Sequence, residues 1–198
     1  MATRLTALLN VHSYFSFGAG VASPTTLVTE AIRAGYDTLA LTDELGVYGA
    51  AELFEAARTH GMRALIGSSI PLSHKDRTYP LVLLASSRKA YGVMNELLSL
   101  IKTHDEPQCT LSMLEAHNEE LHVLTGGRRG FVNQLIQSNQ IKEASYLIET
   151  LKDAFHDRLW LQLFYDHYPW DKRRMAGLRR FAQAHRIAVV AASEVRYT

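Results

Sequence analysis

With 198 residues, 47% of them apolar, the chain can bury one large core, and its 21 basic residues against 20 acidic ones give no general electrostatic pull toward nucleic acid. The lone cysteine, Cys109, excludes an internal disulfide and a cysteine-rich zinc site, and reads as an inert or partly buried thiol in a reducing compartment. No apolar run approaches the ~20 residues of a membrane span, and the first apolar stretch is too brief for a secretory signal, so a cytoplasmic protein with no membrane contact is expected.

Short apolar runs alternate with amphipathic stretches along the whole chain. Residues 5–12 (LTALLNVH) read as a first buried strand. Ser23 and Pro24 then open a helix, Ser as N-cap and Pro at the first helical position, where its missing N–H costs nothing. Leu27, Val28, Ala31 and Ile32 share one face of that helix, and Gly35 closes it. Residues 38–42 form a second strand, 50–60 a helix stopped by Gly61, 63–67 a third strand and 81–85 a fourth. A helix over 89–101, a short one over 111–117 and a fifth strand at 121–125 follow. Helical pieces at 131–138 and 141–155, a sixth strand at 158–164, a long helix at 170–185 and a seventh strand at 187–192 complete the order. Residues 73–78 and 104–109 read as loops. Seven apolar strands, most of them separated by helices, predict an α/β fold, a distorted seven-stranded parallel (β/α) barrel in one domain over 1–198, with an open doubly wound sheet as the alternative. No G-x-G-x-x-G follows the first strand, which disfavours dinucleotide binding.

In parallel α/β folds the loops after the strands converge on one rim, and polar residues gather there in this chain. The first strand ends in Asn10-Val11-His12-Ser13, and the period of a strand points Asn10 and His12 the same way. The second ends in Thr42-Asp43-Glu44, the third in Gly67-Ser68-Ser69, and the fifth in Thr125-Gly126-Gly127-Arg128-Arg129-Gly130. The sixth leads to Asp166-His167, and the seventh to Ser193-Glu194-Val195-Arg196.

The strings LLNVHSYFSFGAG, SPTTLVTEA, GYDTLALTDE, IGSS, LVLLASSRKAYG and AASEVRY, in that order, resemble the polymerase and histidinol phosphatase (PHP) domain found at the N-terminus of bacterial DNA polymerase III alpha subunits and their error-prone relatives. That resemblance implies a barrel of seven parallel strands. It also implies a cluster of metal ions, held in active members by His, Asp and Glu at the strand ends, that activates water against a phosphate ester. Most of the implied ligands are replaced. The family's H-x-H is Asn10 and His12, and no acidic residue stands at 17–20. T-D-H reads Thr42-Asp43-Glu44, a version resembling the error-prone branch, and the final acid of G-x-E is Ser69. Pro80 stands where a ligand His often precedes the fourth strand, and D-x-H reads Glu194-Val195-Arg196. Arg stays protonated and cannot ligate a cation, so a guanidinium pairing with Glu44 or Glu194 takes a cation's place electrostatically.

The implied function is therefore non-catalytic. The chain is expected to be a structural or protein-interaction domain of, or related to, such a polymerase in DNA replication or repair, without cofactor. Its expected partners are the polymerase body or other replication and repair proteins, with DNA reached through them. It contains no polymerase palm, and is read as either an excised domain or a stand-alone relative. One alternative is a residual phosphoesterase or 3'-5' exonuclease using His12, Glu44 and Glu194 with Mn, Zn or Mg; His167 is a further candidate ligand. Another is a phosphate or single-stranded DNA binding module using Arg128, Arg129 and a basic stripe of Lys172, Arg173, Arg179 and Arg180. Against these stand plainer readings. His12 without its partners is a hydrogen-bonded core histidine, Asp43 binds backbone N–H groups or caps the next helix, and the glycine-arginine run is a turn with solvated charges. Tyr14, Phe15 and Phe17 either cover the barrel mouth or form a docking surface.

Overall fold

The computed structural model describes residues 6–165 and 167–196, so Asp166, expected after the sixth strand, lies outside the described residues. Seven strands form one sheet in chain order: β1 (Ala7–Val11), β2 (Thr38–Leu41), β3 (Arg63–His74), β4 (Arg77–Ala85), β5 (Leu121–Leu124), β6 (Leu159–Leu163) and β7 (Ala188–Ala191). Among the described residues seven α-helices accompany them: α1 (Pro24–Arg33), α2 (Ala50–His60), α3 (Arg88–Lys102), α4 (Leu111–Ala116), α5 (Phe131–Gln137), α6 (Ile141–Phe155) and α7 (Asp171–His185). Local chemistry accounts for several boundaries. The Ser23 side chain accepts the Thr26 N–H at the start of α1, and Ser87 and Thr110 do the same for Ala90 and Met113 at α3 and α4.

The sheet is mixed rather than wholly parallel. β1–β2–β3 and β5–β6–β7 pair in parallel, while β3–β4 and β4–β5 are antiparallel. The cause is the length of β3 and β4. They continue through the expected 73–78 loop as a hairpin in which only Lys75 and Asp76 turn, too short a connection for a parallel crossover. The hairpin tip is tied down: Lys75 Nζ donates to Glu143 on α6 at 2.7 Å, His74 pairs with the same carboxylate, and the Leu72 backbone bridges to Cys109. Burial pushes the Cys109 thiol up to about 12, which keeps it protonated and inert.

The sheet curls until its edges meet at one end. Val11 bridges Val195; His12 N–H donates to Val195 O and Val195 N–H to Asn10 O, each at 2.9 Å. Strand alternation then sorts side chains between two cores. Leu39, Leu41, Leu83, Val123 and Leu161 pack under the helices in the large core, and Ala40, Val82, Leu84, Leu124 and Ala192 form a smaller inner cluster with Leu9, Leu65, Trp160 and Val190. The carboxyl ends of β1, β2, β5 and β7 and the middle of β3, at Ser69, thus converge on one rim.

Candidate functional site

The rim is organised from β1 and β2 outward. Asp43, buried just past β2, accepts the Ser13 N–H and the Ser16 hydroxyl on Oδ1 and the Ser13 hydroxyl on Oδ2, each at 2.7 Å. A carboxylate holding three donors fixes the loop after β1, and charge-assisted bonds of this kind are the strong ones. Ser16 Oγ also accepts the Glu44 N–H at 3.0 Å and lies 3.3 Å from Nδ1 of His12. His12 is 1% exposed, and its Nε2 is 3.1 Å from Asn10 Oδ1, an atom that also accepts the Thr42 hydroxyl at 3.2 Å. Each imidazole nitrogen therefore has a neutral side chain of the protein within hydrogen-bond reach. Burial, and then the Arg196 charge, hold the His12 pKa below its ordinary value, outweighing Glu194, Glu44 and Asp43.

The charged half of the rim centres on Arg196. Its Nε donates to Glu194 Oε1 at 2.8 Å, and its Nη2 lies 2.5 Å from that same oxygen and 3.0 Å from Glu44 Oε1. Arg129 adds a second cation, with Nη2 at 2.7 Å from Glu194 Oε1. His12 Nε2 stands 3.7 Å from that oxygen. Burial works to raise the Glu194 pKa, but hydrogen bonding to Arg196 and the charges of Arg129 and Arg196 prevail and hold it below the usual carboxylate range. A cavity of about 320 Å3 opens beside this cluster, walled by Glu44, Ser69, Pro80 and Arg129. Ser69 joins through its backbone, its N–H donating to Asp43 O at 3.0 Å and its carbonyl accepting the Leu45 N–H at 2.9 Å.

Asn10, His12, Asp43, Glu44, Ser69, Glu194 and Arg196 are therefore brought together from segments up to 186 residues apart, as the spacing after the strands predicts. Arg128 and Arg129 part company. Arg129 turns to Glu194, while the Arg128 guanidinium lies 4.8 Å from the Tyr168 ring and 5.9 Å from that of Phe164. The glycines around them serve a close backbone crossing. Gly126 has φ +78° and a Cβ there would sit 1.9 Å from the Pro80 carbonyl oxygen, while one at Gly130 would sit 1.7 Å from that of Thr125. The helix they open, α5, is only seven residues long. Neither arginine is a merely solvated charge on a loose turn. His167 is exposed and packs edge-on against Tyr165 at 4.8 Å. Among the aromatics after His12, Phe17 is 90% exposed, while Tyr14 donates to Glu52 and packs on Phe15.

Residue patterns did not single out Ser16, the atom that links His12, Asp43 and Glu44, or the Arg129–Glu194 pair. A hydroxyl four residues beyond the histidine carries a faint signal, since both sit in one tight loop. A pair 65 positions apart carries none. Among the described residues no group of three or more His, Cys, Asp or Glu side chains is placed to hold a metal ion. No helix among them is long and apolar enough to cross a membrane.

A curled seven-stranded α/β sheet with its polar residues at one rim defines the class, and the chain belongs to the PHP family, whose PHP domain model matches residues 9–164. The chain is 30% identical over 208 residues to an error-prone DNA polymerase of Symbiobacterium thermophilum, covering 96% of this chain and 19% of that protein. It is 26% identical over 194 residues to the DNA polymerase III subunit alpha of Bacillus subtilis, covering 96% and 17% respectively. The chain thus spans less than a fifth of the length of these curated relatives. In fold it is similar to a presumed metal-dependent phosphoesterase from Bifidobacterium adolescentis, with a TM-score of 0.64 at 14% identity, covering 97% of this chain and 88% of the other.

Proposed function

We propose that residues 1–198 act as one PHP-like domain without hydrolytic chemistry. In this reading the domain is a structural and protein-interaction module of, or related to, a DNA polymerase III alpha subunit, replicative or error-prone, working in DNA replication or repair in the cytoplasm. The observation that carries the reading is the Arg196 guanidinium set between Glu44 and Glu194, with Arg129 on the same Glu194 oxygen. A cation cluster needs several anionic or neutral donors around a common centre, and a guanidinium, which donates only, repels any metal brought there. His12 is similarly engaged, with Asn10 on one ring nitrogen and Ser16 on the other. The residues present therefore do not fit the metal cluster of an active family member, and Asn10, His12, Asp43, Glu44, Ser69, Glu194 and Arg196 are read as vestigial metal-site positions.

The polymerase body is the natural partner, because the curated relatives carry their matching segment inside a chain more than five times as long. Phe17, 90% exposed in the loop after His12, supports a contact with such a partner, since aromatics contribute much of an interface's energy. The test is hydrolysis of a phosphate monoester and of a 3'-labelled oligonucleotide in manganese or zinc, with bound metal counted on the same sample. Background-level hydrolysis with fewer than one tightly held ion per chain is expected. Turnover that disappears on changing His12 or Glu194 would establish the residual phosphoesterase instead.

A further inference from the structure

The approach to α7 builds a second polar site beside the rim. A cavity of about 590 Å3 lies between α5 and the start of α7, walled by Arg128, Arg129, Asn133, Gln134, Gln137 and Trp170. At its edge the rings of Tyr168 and Trp170 stack at 5.0 Å with planes 9° apart, and the two residues are 44% and 56% exposed. The platform is held from behind. The Arg128 guanidinium covers the Tyr168 ring, and Arg174 lies 4.1 Å over Phe164 while pairing with Asp171 at 2.5 Å. Arg129 is half exposed and commits one nitrogen to Glu194, leaving other donors of its five. Arg173 and Arg180 follow on the exposed face of α7, seven positions apart and therefore nearly in line along the helix.

We propose that this surface binds a single strand of nucleic acid, with a base stacked on the Tyr168–Trp170 platform and the adjoining phosphates held by Arg129 and by Arg173 and Arg180 on α7. The chemistry favours this ligand over an acidic peptide. A flat, half-exposed aromatic pair offers a π-face to any base, and the side-chain amides of Asn133, Gln134 and Gln137 line the cavity without charge. A duplex keeps its bases stacked on each other, so it has none to place on the rings. The site is local, which reconciles it with a chain whose net charge is only +1. It does not depend on the scaffold reading, since it uses neither His12 nor Glu44.

The test is titration of the whole chain with a fluorescein-labelled twelve-nucleotide dT strand and its uridine counterpart, followed by anisotropy and by the fluorescence of Trp170. The comparison probes are a twelve-base-pair duplex and a hexaglutamate competitor. Saturable binding of a single strand is expected, with quenching absent in Trp170→Phe and affinity at least about fivefold lower in Trp170→Ala. Arg173→Glu with Arg180→Glu should weaken binding and reduce its salt slope. Comparing the uridine strand with a deoxyuridine strand of the same length, which differs only at the 2'-hydroxyl, tells which sugar is preferred. Equal binding of duplex and single strand, equally effective competition by hexaglutamate, or an unchanged affinity in a folded Trp170→Ala chain would each overturn the proposal.

Discussion

The inner face of the curled sheet has two unlike ends. At the carboxyl ends, Asp43, Glu44, Glu194, Arg129 and Arg196 crowd into ion pairs and charge-assisted hydrogen bonds around His12. At the opposite end, Leu9, Leu65, Leu84, Leu124, Trp160 and Val190 line an apolar cavity of about 290 Å3, with His122 as its main polar group. Both ends are concave pockets made by the same seven strands, yet only the rim concentrates charge. A partly buried carboxylate is costly unless paired, and Glu194 has arginines beside it. In this chain the cations are arginines, part of the polypeptide itself. Ion pairs within the chain thus hold the rim together, while the floor is stabilised by apolar burial.

Several experiments break or sharpen that contrast, and the largest effect belongs to the rim's inner support. Asp43→Ala strands the Ser13 and Ser16 donors inside the protein and should cost about 3 kcal/mol in urea unfolding; a loss under ~1 kcal/mol would show that the loop after β1 is held by other means. Arg196→Met leaves Glu194 with Arg129 alone. Because both side chains keep some solvent contact, the expected cost is smaller, about 1–2 kcal/mol. The sign with pH is fixed. The folded Glu194 pKa lies below its ordinary 4.5, so its contribution is full above that value and is lost as pH falls through the lower folded one. Arg196→Met should raise that folded value and so move the loss of this contribution to higher pH.

On the floor, Leu65→Phe fills part of the apolar cavity and should stabilise the fold by roughly 0.5 kcal/mol, visible as a small rise in Tm. The subtlest test compares the two histidines. Both are held below their ordinary 6.5 chiefly by burial, with Arg196 second for His12 and Arg158 second for His122. Each lowered histidine leaves the unfolded chain to take up its proton first, so stability declines as pH drops below about 6.5. In an NMR titration, Arg196→Met should raise the His12 pKa and leave His122 where it was. Equal movement of both would mean that the guanidinium does not act locally.

Much of this was legible in the residues. Ser23 as N-cap, the stops at Gly35 and Gly61 and the apolar period pointed to helices, and the residues at the strand ends pointed to the rim. The hairpin of β3 and β4 was not legible, because its outer half is written in Ser73, His74, Arg77 and Thr78, polar residues that read as a loop. Backbone pairing across the turn holds it extended, and its tip is tied to Glu143, 68 positions beyond Lys75. A similar distance in sequence, 65 positions, hid Arg129 from Glu194. The chemistry of Arg196, in contrast, was readable through the resemblance, which sets it at the final position of the family's D-x-H motif.

In the proposed reading, the Arg196 guanidinium takes the place of the cations that active family members hold. Anomalous diffraction from crystals grown in manganese tests it most directly. The expected map has no ion near His12, with Arg196 bonded to Glu44 and Glu194. Two bridged manganese peaks there, with Arg196 turned outward, would contradict the account.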